Sequence, residues 1–131
     1  MATKVSTDIA SVVDITARRN DSFYLKVELT NPDGTIYDIV GADGVAFESL
    51  FEIYDSNDVL ILGFLSGSDS NSSTVNSVIV VDGSKAELVI DVPATNMTIR
   101  SGTYKYKFYV KHTTDAVTNT IMVGKFKVTD I

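Results

Sequence analysis

The residue types that usually carry chemistry are few in this chain, and they do not converge on one position. His112 is the single histidine of the 131 residues, and there is no cysteine. A general base needs a positioned partner and usually a third group that orients it. The sequence around His112 offers neither, because a strand gives way there to the turn Thr113-Thr114-Asp115. We predict no catalytic residue and a protein that is not an enzyme.

Carboxylates are more numerous, and they recur where the chain is expected to reverse direction. These positions include Asp14, Asp21, Asp33, Asp38, Asp43, Asp55, Asp58, Asp69 and Asp82. Loops rich in aspartate can bind calcium through oxygen ligands. The stretch from Asp55 lacks the glycine and the distal glutamate of an EF-hand loop, and aspartate is a favoured turn residue in its own right. We predict neither a metal site nor a cofactor site.

The charge balance argues against one class of partner. Seventeen acidic residues stand against eleven basic ones, for a formal net charge of −6, whereas a nucleic-acid binder presents a basic footprint. We therefore predict no direct nucleic-acid partner. Five lysines nevertheless cluster near the C-terminus, at Lys105, Lys107, Lys111, Lys125 and Lys127. They are read either as solvated strand faces or as a positive patch that meets an acidic protein neighbour.

Strands are the elements that would position these side chains. From Tyr104 to Val110 apolar residues take every second position, and the positions between them include Lys105 and Lys107. Side chains of a strand point to opposite faces with a period of two, so this pattern predicts a half-buried antiparallel strand. Further strands are predicted at 22–30, 35–40, 45–54, 59–65, 75–81, 85–92 and 119–128, and residues 9–16 form a first strand or an extended arm.

This arrangement predicts an all-β fold, an immunoglobulin-like antiparallel β-sandwich of about eight strands in one domain over residues 15–131. Residues 1–14 are predicted to form an N-terminal arm or a first edge strand. No run approaches the roughly 18 apolar residues that span a bilayer, and the N-terminus lacks the apolar core of a signal peptide. We predict no membrane partner and synthesis in a cytoplasm.

Two groups of residues are predicted to form an interface with a neighbouring protein. The first is the arm, which should contact a sheet edge through Val5, Ile9, Val12 and Val13. The second is the outward face of the late strand, carrying Lys105, Lys107, Tyr109 and Lys111. Sheet edges and sheet faces are the surfaces that a β-sandwich offers to a partner.

The order of the turn and strand signals resembles a known family. The motifs are Arg18-Arg19-Asn20-Asp21-Ser22-Phe23, Asn31-Pro32-Asp33-Gly34, Lys85-Ala86-Glu87-Leu88-Val89-Ile90, Ser101-Gly102-Thr103-Tyr104 and Val123-Gly124-Lys125-Phe126. In this order they resemble the immunoglobulin-like modules of tailed-bacteriophage virion proteins, such as the N-terminal domain of the baseplate upper protein family. The likeness extends over residues 15–130, with Ile39-Val40-Gly41 standing where the family has Leu-Thr-Gly.

The resemblance implies a non-enzymatic structural protein of the virion, folded in the host cytoplasm. A free-standing module of this kind is similar to an auxiliary or decoration protein of the capsid that packs against neighbouring virion subunits. Its implied partners are capsid or tail subunits, or further copies of itself. Two alternatives stay open: a baseplate or tail component, and a carbohydrate-binding adhesion module that uses the loops at one end of the sandwich.

Overall fold

The computed structural model describes residues 2–6, 11–30, 47–82, 87–112 and 118–130. Apart from one turn of 3₁₀ helix at Ala94–Asn96, the regular structure of these residues is β-strand. The strands are β1 (Ala2–Ser6), β2 (Ser11–Val12), β3 (Ile15–Arg18), β4 (Phe23–Thr30), β5 (Phe47–Tyr54), β6 (Leu60–Leu65), β7 (Thr74–Val75), β8 (Ile79–Asp82), β9 (Glu87–Val92), β10 (Gly102–His112) and β11 (Thr118–Thr129).

The strands form two sheets that pack face to face. The first sheet has the order β1-β4-β9-β8, and the second has the order β2-β11-β10-β5-β6-β7, with β3 also beside β11. This is the strand order of a variable-type immunoglobulin sandwich. The predicted all-β immunoglobulin-like fold is confirmed, with more strands than the eight expected. The additional strands are the short β1, β2 and β7, and the predicted strand at 35–40 lies outside the described residues.

An aromatic cluster joins the two sheets in the place where many immunoglobulin domains have a disulfide. Phe51 of β5 stacks on Tyr106 of β10, with ring centroids 4.8 Å apart and an interplanar angle of 8°. Phe23 of β4 brings in the first sheet, lying 6.0 Å from Phe51 and meeting Phe126 edge-on at 5.4 Å. Such geometries add to the free energy gained by burying the rings, so the chain holds its sheets together without cysteine.

The N-terminal segment passes from one sheet to the other. β1 pairs in parallel with β4 of the first sheet, whereas β2 and β3 pair in parallel with β11 of the second. Between β2 and β3 the Val13 N–H donates to the carbonyl oxygen of Val123 at 2.9 Å, and the Tyr106 hydroxyl donates to the carbonyl oxygen of Val13. The Asp14 carboxylate then accepts the N–H of Lys125 at 3.0 Å. The segment is thereby fixed to the body of the domain.

The N-terminal segment can lie this close to β11 only because position 124 is a glycine. A Cβ atom there would lie 2.3 Å from the carbonyl oxygen of Val13, and the φ angle of Gly124 is +157°. No side chain fits at such a separation. Gly124 also stands opposite Tyr106 in the ladder between β10 and β11. The glycine that leaves room for Val13 is therefore the cross-strand neighbour of the tyrosine that hydrogen-bonds to Val13.

A second tyrosine fixes the entry to β10. The Tyr104 hydroxyl donates to the carbonyl oxygen of Arg100 at 2.7 Å, the contact known as a tyrosine corner in immunoglobulin sandwiches. The connection from β9 into this corner contains the 3₁₀ turn at Ala94–Asn96, after Pro93.

The serine-rich stretch 66–74 is held by local hydrogen bonds. Asp69 accepts the N–H of Asn71 and the hydroxyl of Thr74, and Asn76 makes two hydrogen bonds with the backbone of Asp69. Short polar side chains bond to nearby backbone in this way and so replace the missing sheet partners. The stretch ends in β7, which pairs in parallel with β6.

Replacing Gly124 by alanine tests whether the close approach of Val13 to β11 contributes to stability. The change Gly124→Ala is expected to lower the free energy of unfolding by about 2–4 kcal/mol, because it adds backbone strain and a steric clash. Gly102→Ala is the matched control, since Gly102 has a φ of +154° but its nearest non-local contact is 4.0 Å away. The control should lose about 1 kcal/mol, the strain alone. Equal losses in urea unfolding would show that the approach of Val13 is unimportant.

Candidate functional site

The structure brings some of the predicted interface residues together and separates others. Lys105, Lys107, Tyr109 and Lys111 alternate along β10 with buried residues and therefore share the outer face of the second sheet. Val12 joins them, because β2 pairs with β11 and Val12 stands opposite Val123. Val12 is 78% exposed.

The remaining arm residues lie elsewhere. Val13 is partly buried and packs against the core. Val5 belongs to β1 of the first sheet, where it stands opposite Leu29, and Ile9 lies outside the described residues. Part of the arm therefore lies along sheet edges of its own domain, and its predicted role at an interface with a neighbour stays a prediction.

We call the outer surface of the second sheet the lysine face. It comprises Val12 of β2, Glu48, Leu50, Glu52 and Tyr54 of β5, Lys105, Lys107, Tyr109 and Lys111 of β10, and Val123, Lys125 and Lys127 of β11. Five lysines thus share one surface with two glutamates, although the whole chain carries a net charge of −6. The positive charge of the chain is concentrated on this side of the sandwich.

Two lysines of this face stand directly opposite each other. Lys105 of β10 and Lys125 of β11 are cross-strand partners, and like charges in that position destabilise a sheet. Lys105 contacts the carboxylate of Asp58 in the turn between β5 and β6. Within the described part of the chain, neither Lys125 nor Lys127 has an ion pair, and both are exposed. An exposed ion pair contributes about 0–1 kcal/mol, which is of the same order as the cross-strand repulsion, so Asp58 offsets part of this repulsion.

A carboxylate held by two tyrosines lies beside the lysines. The Tyr54 hydroxyl donates to Glu52 at 2.5 Å, and the Tyr109 hydroxyl also bonds to Glu52. Burial, together with the hydrogen bond to Glu52 and its charge, raises the pKa of Tyr54 to about 12. Burial and then the charge of Glu52 raise the pKa of Tyr109 as well. Both hydroxyls therefore stay protonated and keep donating to Glu52 at neutral pH.

Because the carboxylate of Glu52 already accepts two tyrosine hydroxyls, Lys107 contacts a different group. Lys107 stands opposite Glu52 in the ladder, but its ammonium lies over the ring of Tyr109, 4.8 Å from the centroid. A cation above an aromatic ring is held weakly and keeps its charge. Farther along the strand Lys111 lies 3.8 Å from Glu48. The arrangement can accept a carboxylate from outside at Lys107, Lys105 and Lys125.

The structure adds residues to the site that strand patterning did not identify. Tyr54, Glu52 and Val123 were absent from the predicted interface, because their place on the face depends on which strands are neighbours. Among the described residues there is no cluster of three histidine, cysteine or carboxylate side chains that could hold a metal ion. Those residues also include no helix with the length and apolar character needed to cross a membrane.

Comparison with known proteins gives little to set beside this geometry. No protein-family model and no curated protein matches the chain. Among solved structures, the chain is similar to CopC from Methylosinus trichosporium OB3b, at 18% sequence identity and a TM-score of 0.39. The alignment covers 94% of this chain and 86% of that one. At that TM-score nothing known of CopC transfers to this chain.

The comparison corrects the functional prediction. The solved structure named above is CopC and not a virion component, and no family model or curated protein connects the chain with tailed phages. The predicted role as an auxiliary or decoration capsid protein is therefore withdrawn, and with it the virion localisation and the baseplate or tail alternative. Turn and strand motifs recur in unrelated sandwiches because they encode local geometry, which is why they suggested a family here.

The tyrosine pair predicts a particular dependence of stability on pH. In the unfolded chain Tyr54 ionises near its ordinary pKa of about 10, whereas in the folded protein it stays protonated up to about pH 12. Its contribution is fully present below about pH 10 and is lost as the pH rises to about 12. In urea unfolding, the wild type should lose more stability between about pH 9 and pH 11 than Tyr54→Phe. Lysine deprotonation affects both proteins and cancels, so identical pH profiles would contradict the assignment.

Proposed function

We propose that this chain is a non-enzymatic binding module that attaches to an acidic protein surface through the lysine face. The observation that carries the proposal is the direct opposition of Lys105 and Lys125, flanked by Lys107 and Lys127. These lysines repel one another in the isolated domain, and an acidic partner would relieve that repulsion. Residues that reduce the stability of a free protein are common at functional surfaces.

The composition of the face also supports a protein partner. Interfaces are enriched in tyrosine and depleted in lysine and glutamate, so the support comes from Tyr109 and Tyr54 at the centre of this face, and the lysines contribute as charge partners. Tyr109 stands opposite Leu50, which in turn stands opposite Leu65. Both leucines are buried, so Tyr109 lies next to an apolar row of the sheet. Val12 adds an exposed apolar contact at the rim.

A nucleic acid is the competing partner, since phosphates also attract lysines. Several features of the face make it less favourable. Glu48 and Glu52 lie on the same surface as the lysines, where they would face a continuous line of phosphates. The overall charge of −6 also opposes approach to a polyanion. A protein surface, with discrete carboxylates between apolar residues, fits the alternation of lysine, tyrosine and glutamate better.

Binding of defined acidic probes tests the proposal. A fluorescein-labelled peptide of about ten glutamates should bind the wild type at about 0.1 M salt, and binding should weaken as salt rises. The double variant Lys105→Glu/Lys107→Glu should bind about tenfold or more weakly. Arg100→Glu is the control for charge, because Arg100 is exposed and precedes β10. Tighter binding to a short DNA duplex than to the peptide, or equal effects of the variant and the control, would contradict the proposal.

A stability measurement tests the same site without any ligand. The change Lys125→Glu turns a like-charge pair with Lys105 into an opposite-charge pair, and should raise the free energy of unfolding by about 0.2–1 kcal/mol. Lys127→Glu makes the same charge change opposite Thr103 and should leave stability nearly unchanged. The more stable Lys125→Glu variant should also bind the glutamate peptide more weakly than the wild type. A variant that is less stable than the wild type would refute the repulsion.

A further inference from the structure

The outer surface of the first sheet carries the opposite charge. The residues at its outward register positions, here called the acidic face, are Lys4 of β1, Tyr24, Lys26 and Glu28 of β4, Glu87, Val89 and Asp91 of β9, and Val80 and Asp82 of β8. Glu28 and Glu87 stand directly opposite each other, which mirrors the opposition of Lys105 and Lys125 on the other side. Lys26 pairs with Glu87 at 3.3 Å, and Lys4 of β1 stands opposite Glu28, so carboxylates outnumber lysines on this side of the sheet.

Large exposed apolar side chains lie on this acidic face. Tyr24 is 58% exposed and Val80 is 62% exposed. Tyr24 stands opposite Asp91, which is also exposed. Val80 stands opposite Val89, so the two valines form a short apolar row beside the carboxylates. An exposed aromatic next to an exposed carboxylate is the combination that binds an ammonium group by charge and by its ring.

We propose that the acidic partner of the lysine face is the acidic face of a second copy of this chain, an inference that rests on the proposed function. The lysine face supplies an excess of positive charge, and the acidic face supplies an excess of negative charge. Asp91 and Tyr24 of one copy would meet the lysine ammonium groups, chiefly Lys105 and Lys107, of the next. Val12 at the rim of the lysine face would meet the apolar row of Val80 and Val89. Complementary potentials of this kind determine which surfaces associate and in which orientation.

The position of the two faces determines the form of the assembly. They lie on opposite sides of one sandwich, so a single contact uses the lysine face of one copy and the acidic face of the other. A head-to-tail contact of this kind leaves one face free at each end, and it therefore continues into a ring or a filament. A closed two-fold dimer would use the same patch twice and is incompatible with the charges.

Ionic strength determines where such an assembly forms. Every copy carries a net charge of −6, so whole molecules repel each other when the screening length is long. At about 0.1 M salt the screening length is about 10 Å, which shields distant charges but leaves face-to-face contacts attractive. At about 1 M it is about 3 Å, and the contacts weaken too. Association should therefore be observable near 0.1 M salt and be reduced at 1 M.

Sedimentation of two complementary variants tests the inference. Lys105→Glu/Lys107→Glu reverses two of the five positive charges of the lysine face and keeps the acidic face, and Asp91→Lys reverses one charge of the acidic face and keeps the lysine face. The wild type should show an average mass that rises with concentration at about 0.1 M salt, and each variant alone should associate about tenfold or more weakly. A mixture of the two should form a one-to-one complex that grows no further, because one intact lysine face then meets one intact acidic face. Both variants have a net negative charge, so overall attraction cannot explain that complex.

Controls separate this inference from the proposed function. Arg100→Glu and Asp130→Lys change the net charge outside both faces and should self-associate like the wild type. A wild type that stays monomeric, or a mixture that does not form the complex, overturns the inference. If the glutamate peptide still binds in a Lys105- and Lys107-dependent way, the proposed function stands and the acidic partner is another protein. If neither peptide binding nor self-association responds to Lys105→Glu/Lys107→Glu, both fail.

Discussion

The stack of Phe51 on Tyr106 is the interaction on which the rest of this structure depends. It lies at the centre of the sandwich, and Phe23 reaches it from the opposite sheet. Burial that favours the phenyl part of Tyr106 also raises the pKa of its hydroxyl, which therefore stays a hydrogen-bond donor. That donor holds Val13, and the close approach of Val13 requires Gly124. The packing of the core therefore also determines the path of the N-terminal segment.

Because the inward side chains fill the core, only the outward side chains are available to bind a partner. A strand offers every second residue to solvent, and here the outward positions of the two sheets differ in sign. The opposition of Lys105 to Lys125 and of Glu28 to Glu87 is unfavourable in the isolated domain, and ion pairs of Lys105 with Asp58 and of Glu87 with Lys26 offset part of it. The penalties are small beside the total stability of about 5–15 kcal/mol of a domain. The fold can therefore carry two mutually complementary surfaces without losing its structure.

The sequence was sufficient to predict most of the strands, but it was not sufficient to predict which strands are neighbours in the sheets. The alternation around Tyr106 predicted both the strand and its buried side, because a period of two is local information. In the last strand Phe126 and Val128 are out of phase with Ile121 and Val123, as a β-bulge produces, and the structure places the register shift at Ile121. The slip is visible in the pattern, whereas its position depends on the partner strand. The opposition of Lys105 and Lys125 could not be predicted for the same reason, since cross-strand register is set by tertiary packing.

The parallel pairing of β3 with β11 has a mechanical consequence. β3 follows the N-terminal segment and β11 is the last strand, and they lie side by side from Ile15 opposite Phe126 to Arg18 opposite Thr129. Tension between the two ends of the chain therefore pulls these strands along their length in opposite directions. Their hydrogen bonds carry that load together in shear and do not open one after another. A module that is pulled by its two ends would resist force at this seam as well as at the parallel pairing of β1 with β4.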